Sequence, residues 1–279
     1  MDLKERLADE LSDEELSHLV TSYDIVGDVA IIKVPDELEH RKDAIADALL
    51  EQHSNVNTVV RKTGERSGDY RVADYEVLRG DSTETLHREH GCRFELDPTT
   101  VYFSERLGHE RGRVVDQAEP GETVIDMFAG VGPFTVELAR NADAGQVHAF
   151  EANPAAADYL ERNVELNGVA DRVDVYGGDV RDHLPGVDVA ADRVIMNLPG
   201  SSEAFLGLAL DTVWEGGVIH YYSFVPKDDL DDGTAAGDVA ERFAEHGADV
   251  TVERVEVCGH YNPAVERVCF DVRVEAVER

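Results

Sequence analysis

Only three cysteines, Cys92, Cys258 and Cys269, occur in 279 residues, far apart and with no C-x-x-C pair. An odd, scattered set excludes a disulfide framework and fits a reducing cytoplasm. No apolar run approaches the ~18 residues needed to cross a bilayer, and the stretch from Met1 to Ser12 is charged, so neither a membrane span nor a cleaved leader is expected. Basic residues are few: 26 Lys and Arg against 59 Asp and Glu leave a formal net charge of -33. With 42% hydrophobic residues the chain nonetheless reads as folded throughout, which excludes simple disorder. The acids fall between periodic apolar positions and Lys is scarce beside Arg, the pattern of a surface kept soluble in high salt inside a cell.

Length and patterning suggest a catalytic domain with a smaller companion. Leucines at helical spacing from Leu3 to Leu19 predict a helical preface, with Ser12 and Glu15 forming a capping box for its second half. Ile25-Val26 and Val29 to Ile32, turned at Gly27-Asp28, predict a hairpin; a helix over Asp36 to Glu51 follows. Further β-rich runs at Thr58 to Val60, Tyr70 to Leu78 and Cys92 to Leu96 complete a small α+β domain over residues 1–104. From residue 105 to 279 strands alternate with helices, the mark of a parallel sheet. The strands expected are Thr123–Met127, Val147–Phe150, Val173–Tyr176, Arg193–Met196, Gly217–Tyr222, Val250–Val257 and Arg267–Val274. The last two, joined by a loop at Gly259 to Pro263, look like an antiparallel finish. The fold class expected is therefore α/β, a doubly wound, mostly parallel, seven-stranded Rossmann-like sheet with an antiparallel last strand, preceded by the small α+β domain.

The densest chemical signal runs from Val124 to Phe134, where a buried strand ends in Asp126 and passes through Phe128, Ala129, Gly130 and Gly132 into a helix opened by Pro133 and Phe134. Glycines let a ligand approach the main chain without a Cβ in the way, and the following helix offers unpaired N–H groups. A nucleotide-binding loop is the rival reading, but Phe134-Thr135 stands where a third, phosphate-binding glycine would be, which favours a cofactor without a pyrophosphate. Glu151 just past the second strand can accept both ribose hydroxyls, and Asp179 lies just past the third, where similarity to methyltransferases of this architecture implies contact with an adenine amino group. Acids and glycines at three successive strand ends line one crevice, as an open α/β sheet requires of a ligand site. The cofactor these residues indicate is S-adenosyl-L-methionine. The fourth strand ends in Asn197-Leu198-Pro199-Gly200, either an ordinary turn or an amide fixed to face a planar base.

At these positions the sequence resembles the archaeal and eukaryotic tRNA (guanine, position 37) N1-methyltransferases. The resemblance spans nearly the whole chain and rests on Asp126 to Phe134, Asn197-Leu198-Pro199, Arg61-Lys62-Thr63-Gly64 leading to Tyr70-Arg71, and Val101 to Leu107 with Glu110-Arg111. It implies Glu110 as general base, Arg71 as the arginine facing guanine and Asn197 as the amide orienting the base. It implies cofactor contacts from the loop together with Glu151, Asn153, Asp179, Val180 and Asn197, and substrate contacts from Arg71, Arg106, Arg111 and Pro199. It further implies tRNA as partner, gripped at the anticodon stem-loop by the small domain, action as a monomer, and a form lacking the family's extra N-terminal domain.

Guanine N1 carries a proton at neutral pH, so its methylation needs a base and a partner for charge developing on O6, roles that Glu110 and Arg71 would fill. Position 37 is stacked in the anticodon loop and would be flipped out. From Arg61 to Arg113 ten basic residues stand against eleven acidic ones, so almost all the net charge lies elsewhere and a polyanion is best tolerated here. Two alternatives are an aminocarboxypropyl transferase of wybutosine synthesis, against which Glu110, Pro133 and Asn197 speak, and a tRNA-binding module without catalysis. His87-x-x-His90-x-Cys92 offers three metal donors without a fourth, so no metal is expected.

Overall fold

The computed structural model of the chain describes residues 2–64 and 73–278. The chain divides into two compact units, Met1–Glu105 and Arg106–Arg279.

In the first unit the helical preface is two short helices, α1 (Leu3–Leu7) and α2 (Asp13–His18), each opened by a capping box. Ser12 accepts from the Glu15 N–H at 3.3 Å while Glu15 accepts from the Ser12 N–H at 2.8 Å, which starts α2 afresh instead of continuing α1. Leu3, Leu7 and Leu11 are buried, so the spacing read in the sequence reports a packed face even though the helix is interrupted. Strands β1 (Asp24–Val26) and β2 (Val29–Ile32) form the expected hairpin at Gly27, whose φ is +58°. A 3-10 turn over Asp36–Arg41 leads into α3 (Lys42–Gln52), which crosses to β3 (Thr58–Lys62), parallel to β2. Then β4 (Tyr75–Arg79) pairs antiparallel with β3, completing the order β1-β2-β3-β4. Leu38, Ile45 and Leu49 pack with Ala30 and Val59 in this unit's core.

Strand β5 (Thr85–Glu89), which the sequence reading did not draw, pairs with β6 (Cys92–Leu96). The two-residue loop His90-Gly91 has φ of +46° and +77°, and positive φ at both central residues matches the twist of the flanking strands. His87 packs at 4.9 Å between ring centroids on Phe103, and among the described residues no cluster of donor atoms unites His87, His90 and Cys92.

The second unit opens with a 3-10 turn (Glu105–Leu107) continuing into α4 (Gly108–Val115). It then alternates β7 (Thr123–Asp126), α5 (Pro133–Asn141), β8 (Gln146–Glu151), α6 (Pro154–Leu166), β9 (Val173–Gly177), α7 (Val180–His183) and β10 (Ala191–Met196). After α8 (Leu206–Thr212) come β11 (Val213–Pro226), α9 (Lys227–Asp231), α10 (Ala235–Glu245) and the long hairpin β12 (Ala248–Asn262) and β13 (Val265–Val277). The seven strands run in the order β12-β13-β11-β10-β7-β8-β9, with β13 antiparallel to both neighbours, the methyltransferase form of the doubly wound α/β fold. Central strands covered on both faces read as unbroken apolar runs, and Val124, Ile125, Val194 and Ile195 are all buried. The Gly259 to Pro263 loop expected from the sequence is mostly strand: pairing of His260 with Glu266 and Asn262 with Val265 carries β12 on to a turn at Pro263-Ala264. The exposed edge strand β12 carries Glu253, Arg254 and Glu256, charges that oppose edge-to-edge pairing. Among the described residues no helix is long and apolar enough to cross a membrane.

Candidate functional site

The order of the sheet reverses between β7 and β10, and the carboxyl ends of strands at such a switch point bound a ligand crevice. Asp126 closes β7 there, 1% exposed, with its Oδ2 accepting from the Thr135 hydroxyl at 2.8 Å. Its Oδ1 is buried without a hydrogen bond. Burial pushes the Asp126 carboxyl up to about 7, helped by the charge of Glu151 and opposed by Thr135. The loop is fastened to its neighbours by Met127 N–H on the Ile195 carbonyl (3.1 Å) and Ala129 N–H on the Phe150 carbonyl (2.9 Å). Gly130 and Gly132 both have positive φ, and a Cβ on Gly132 would stand 2.4 Å from Leu160. Glycine is therefore required at Gly132 by conformation and by the packing of α6. Pro133 follows as the first residue of α5, where its missing N–H costs nothing, and Phe134 is buried behind it.

Glu151, at the end of β8, accepts the Gly130 N–H on Oε2 and the Asn153 N–H on Oε1, both at 2.7 Å. Burial raises its carboxyl from the ordinary value, and these N–H groups pull against that. A carboxylate offers about four acceptor positions, so a ribose hydroxyl could still donate to it. Asn153 caps α6 by accepting from Ala155 N–H at 3.1 Å. Asp179 likewise caps α7, ahead of buried Val180, and pairs with Arg181 at 2.9 Å through Nε, whose hydrogen bond lowers its carboxyl. Phe128, partly buried, meets Phe205 edge-on at 4.9 Å.

Beyond β10, Asn197 Oδ1 accepts from Arg267 Nη2 at 2.6 Å. A guanidinium can only donate, so this bond fixes the amide with its NH2 turned away from Arg267. Pro199 is buried behind it. On α4, Glu110 is 3% exposed, its Oε1 accepting from the Tyr222 hydroxyl and from Arg113 Nη2, each at 2.8 Å, and its Oε2 from Arg113 Nε at 2.7 Å. Register pairs Met196 with Tyr221, so Asn197 follows at the level of Tyr222, the residue that holds Glu110.

Behind Glu110 lies a buried chain of charge that the sequence did not reveal. Arg113 Nη1 donates to Asp271 at 2.6 Å, and Asp271 accepts from His220 Nδ1 at 2.7 Å and from Gln117 at 3.0 Å. His220 Nε2 faces Arg193 at 2.6 Å, and Arg193 ends on Glu122 at 2.7 Å. Because Arg193 can only donate, His220 Nε2 accepts and Nδ1 carries the proton given to Asp271. Burial holds the imidazole below its ordinary value, in keeping with this neutral tautomer. For Asp271 burial acts to raise the carboxyl, but the His220 and Arg113 hydrogen bonds outweigh it and hold it well below the usual range. His220, Cys269 and Asp271 converge as metal donors would, yet both imidazole nitrogens are committed and the Arg113 guanidinium reaches Cys269 Sγ at 3.4 Å. The signal for this chain was the alternation His220, Tyr222 opposite Cys269, Asp271, recognisable only once strand pairing is known.

The placement of the arginines departs from expectation. Arg111, expected to meet substrate, is 2% exposed and directed at buried Glu137, 3.9 Å away. One residue after Glu110 on α4, it is turned about 100° round the helix axis and meets a different buried neighbour. Arg106 is exposed, and Arg71 lies outside the described residues.

Residues 85–253 match the TRM5/TYW2 methyltransferase domain and residues 3–83 the TYW2 N-terminal domain. The chain is 42% identical over 257 residues to the tRNA (guanine(37)-N(1))-methyltransferase Trm5b of Pyrococcus abyssi, covering 92% of this chain and 76% of that protein. It is 35% identical over 273 residues to the tRNA(Phe) (4-demethylwyosine(37)-C(7)) aminocarboxypropyltransferase of Pyrococcus horikoshii, covering 98% of this chain and 96% of that one. The solved structure of the complex of aTrm5 with tRNALeu superposes with a TM-score of 0.83 at 32% identity, over 98% of this chain and 78% of that one. These matches correct the resemblance to guanine-N1 enzymes in a form without their N-terminal domain: residues 3–83 are themselves an N-terminal domain of TYW2 type, and both activities occur among similar proteins. The family's cofactor is S-adenosyl-L-methionine, and the described residues fit it, with Glu151 open to a ribose hydroxyl and Asp126 Oδ1 buried without a bond beside the glycine loop. The chain belongs to the TRM5/TYW2 family of S-adenosylmethionine-dependent tRNA-modifying transferases.

Proposed function

We propose that this protein methylates N1 of guanine at position 37 of tRNA. The observation that carries the reading is that two side chains are held in complementary states: the Asn197 oxygen is engaged by Arg267, which frees its NH2 to donate, and the Glu110 carboxylate is held by Tyr222 and Arg113 with an acceptor position left. The guanine edge presents an acceptor, O6, beside a donor, N1–H. An Asn197 NH2 donating to O6 and a Glu110 oxygen accepting N1–H match that edge; adenine presents the reverse pattern and is refused.

Bound S-adenosylmethionine supplies an electrophilic methyl group. Glu110 uses three of roughly four acceptor positions on Tyr222 and Arg113, leaving one on Oε2 for the N1 proton. As that proton moves to Glu110, the N1 electron pair becomes nucleophilic and charge grows on O6, where the Asn197 donor stabilises it. Positioned base catalysis of this kind contributes on the order of 10²–10⁴-fold. With Glu110 only 3% exposed, the base must leave the anticodon stack and seat against it. The residue expected to add a cation at O6, Arg71, lies outside the described residues. The stretch from Arg61 to Arg113, close to charge balance, is the part of the chain suited to an anticodon stem-loop, with the protein acting as a monomer in the cytoplasm.

Full-length similarity to an aminocarboxypropyltransferase supports a second reading, transfer of the cofactor's other alkyl arm. One assay in high salt separates them. tRNA transcripts with guanine or adenine at position 37 are incubated with cofactor labelled in the methyl group or in the carboxyl carbon. Methyl label on the guanine transcript alone supports the proposal; carboxyl label on tRNA bearing a wyosine precursor, or methyl label on both transcripts, overturns it.

A further inference from the structure

At the sheet end beyond Asn197 the β12–β13 hairpin leaves an aromatic pair that the transfer chemistry does not use. Tyr261 is 64% exposed, and its ring lies 4.2 Å between centroids from Phe224, tilted by 37°. Phe224 stands directly across from Arg267, and Arg267 directly across from Gly259, so this row lies on one face of the sheet. Gly259 puts no side chain in the row, and a Cβ there would meet nothing within 4 Å. The same Arg267 holds Asn197. The aromatic surface is thus continuous with the amide assigned to the target guanine.

We infer that Phe224 and Tyr261 form a stacking platform for an unpaired nucleobase of the anticodon loop next to position 37, an assignment that rests on the function proposed above. Flipping one base out of a loop strips a stacking partner from its neighbours, and an aromatic face beside the target site restores it. Stacking also suits this chain's charge. With a formal net charge of -33, attraction to phosphates is weak and in high salt screened further, whereas base–aromatic contact survives screening. Near the hairpin turn the Glu266 carboxylate is engaged by His260 at 2.5 Å and Lys227 at 3.2 Å, which lowers the local repulsion toward RNA. A solvent-exposed tyrosine packed on a phenylalanine offers a broad face that every base can meet, so the platform adds affinity without reading sequence.

The test uses the full chain with tRNA transcripts carrying 2-aminopurine at position 36 or 38. The expected result is quenching of the probe on binding wild-type protein, lost in Tyr261→Ala and retained in Tyr261→Phe and Tyr261→Trp. Equilibrium tRNA binding should weaken roughly 5- to 150-fold in Tyr261→Ala, with cofactor affinity and melting temperature unchanged. Phe224→Leu, which keeps the packing volume, should show a smaller loss in the same direction. If Tyr261→Ala binds and methylates tRNA like wild type, the platform is refuted while the proposed function stands. If the wild-type chain binds no tRNA, both fall. A change from dimer to monomer in sedimentation of Tyr261→Ala, with tRNA binding intact, would identify the surface as a protein contact and overturn the inference.

Discussion

Replacing Asp126 by Asn should make the stability of the second unit less dependent on pH. Burial pushes the folded Asp126 carboxyl up to about 7 from its ordinary value of 3.8. A folded pKa raised above the unfolded one means that the folded state holds a proton the unfolded state has released. Stability from this group is therefore full below about pH 4 and is lost as pH rises through about 7. At about 1.4 kcal/mol per unit, the ionised carboxylate costs on the order of 4 kcal/mol above pH 7. Asparagine keeps the shape and an acceptor for Thr135 but cannot ionise. Its NH2 leaves a buried donor in place of Oδ1, a cost of ~1–3 kcal/mol that does not change with pH. The slope is thus the diagnostic quantity. The chain's single tryptophan, Trp214, lies at the start of β11, and its fluorescence follows unfolding of this unit. About 2.6 kcal/mol of the ionisation cost develops between pH 5 and pH 8, so without cofactor the melting temperature of Asp126→Asn relative to wild type should rise by roughly 5–10 °C over that range. A difference that is the same at both pH values would show that Asp126 is already ionised at pH 5 or hydrated in the folded state, and would refute the reasoning.

Glu110→Gln should leave cofactor affinity intact and slow single-turnover methyl transfer by about 10²–10⁴-fold; an unchanged rate removes Glu110 from the base role. Asp271→Asn leaves Arg113 and His220 without their shared carboxylate and should destabilise the second unit by about 3–5 kcal/mol in denaturant titration, whereas a loss under 1 kcal/mol would mean that the buried charges rearrange freely. Glu151→Gln removes the charge offered to the cofactor's ribose and should weaken cofactor binding about 10- to 100-fold by calorimetry, with equal binding arguing that the hydroxyls meet another group. Gly132→Ala sets a Cβ against Leu160 in a left-handed backbone, so the protein should melt lower and bind cofactor more weakly; a neutral outcome would mean that α6 shifts to accept it.

The cofactor loop was legible because its cause is local. Gly130, Gly132 and Pro133 are required by backbone conformation and by a helix start, and an acid at the end of each successive parallel strand lies on one edge by topology alone. The capping box at Ser12 and the hairpin at Gly27 were legible for the same reason. Local rules do not reach β5, since Thr85 to Glu89 is polar and becomes a strand through pairing with β6, nor the narrow turn at Pro263, since pairing carries β12 through Gly259.

What the sequence by itself determined about this protein is the strand–helix alternation of the second unit, the glycine–proline turn that opens α5 and a strongly acidic composition, consequences of neighbours within a few residues or of composition alone. What only the tertiary structure decided is which side chains meet across elements. Arg113 and Asp271 are 158 positions apart, Asn197 and Arg267 are 70 apart, and Glu110 and Tyr222 are 112 apart. No spacing rule spans such distances. The same helical turn sends Arg111 inward to Glu137 and Glu110 to Tyr222, so two adjacent charges that read alike in the sequence acquire different surroundings from the elements packed against them.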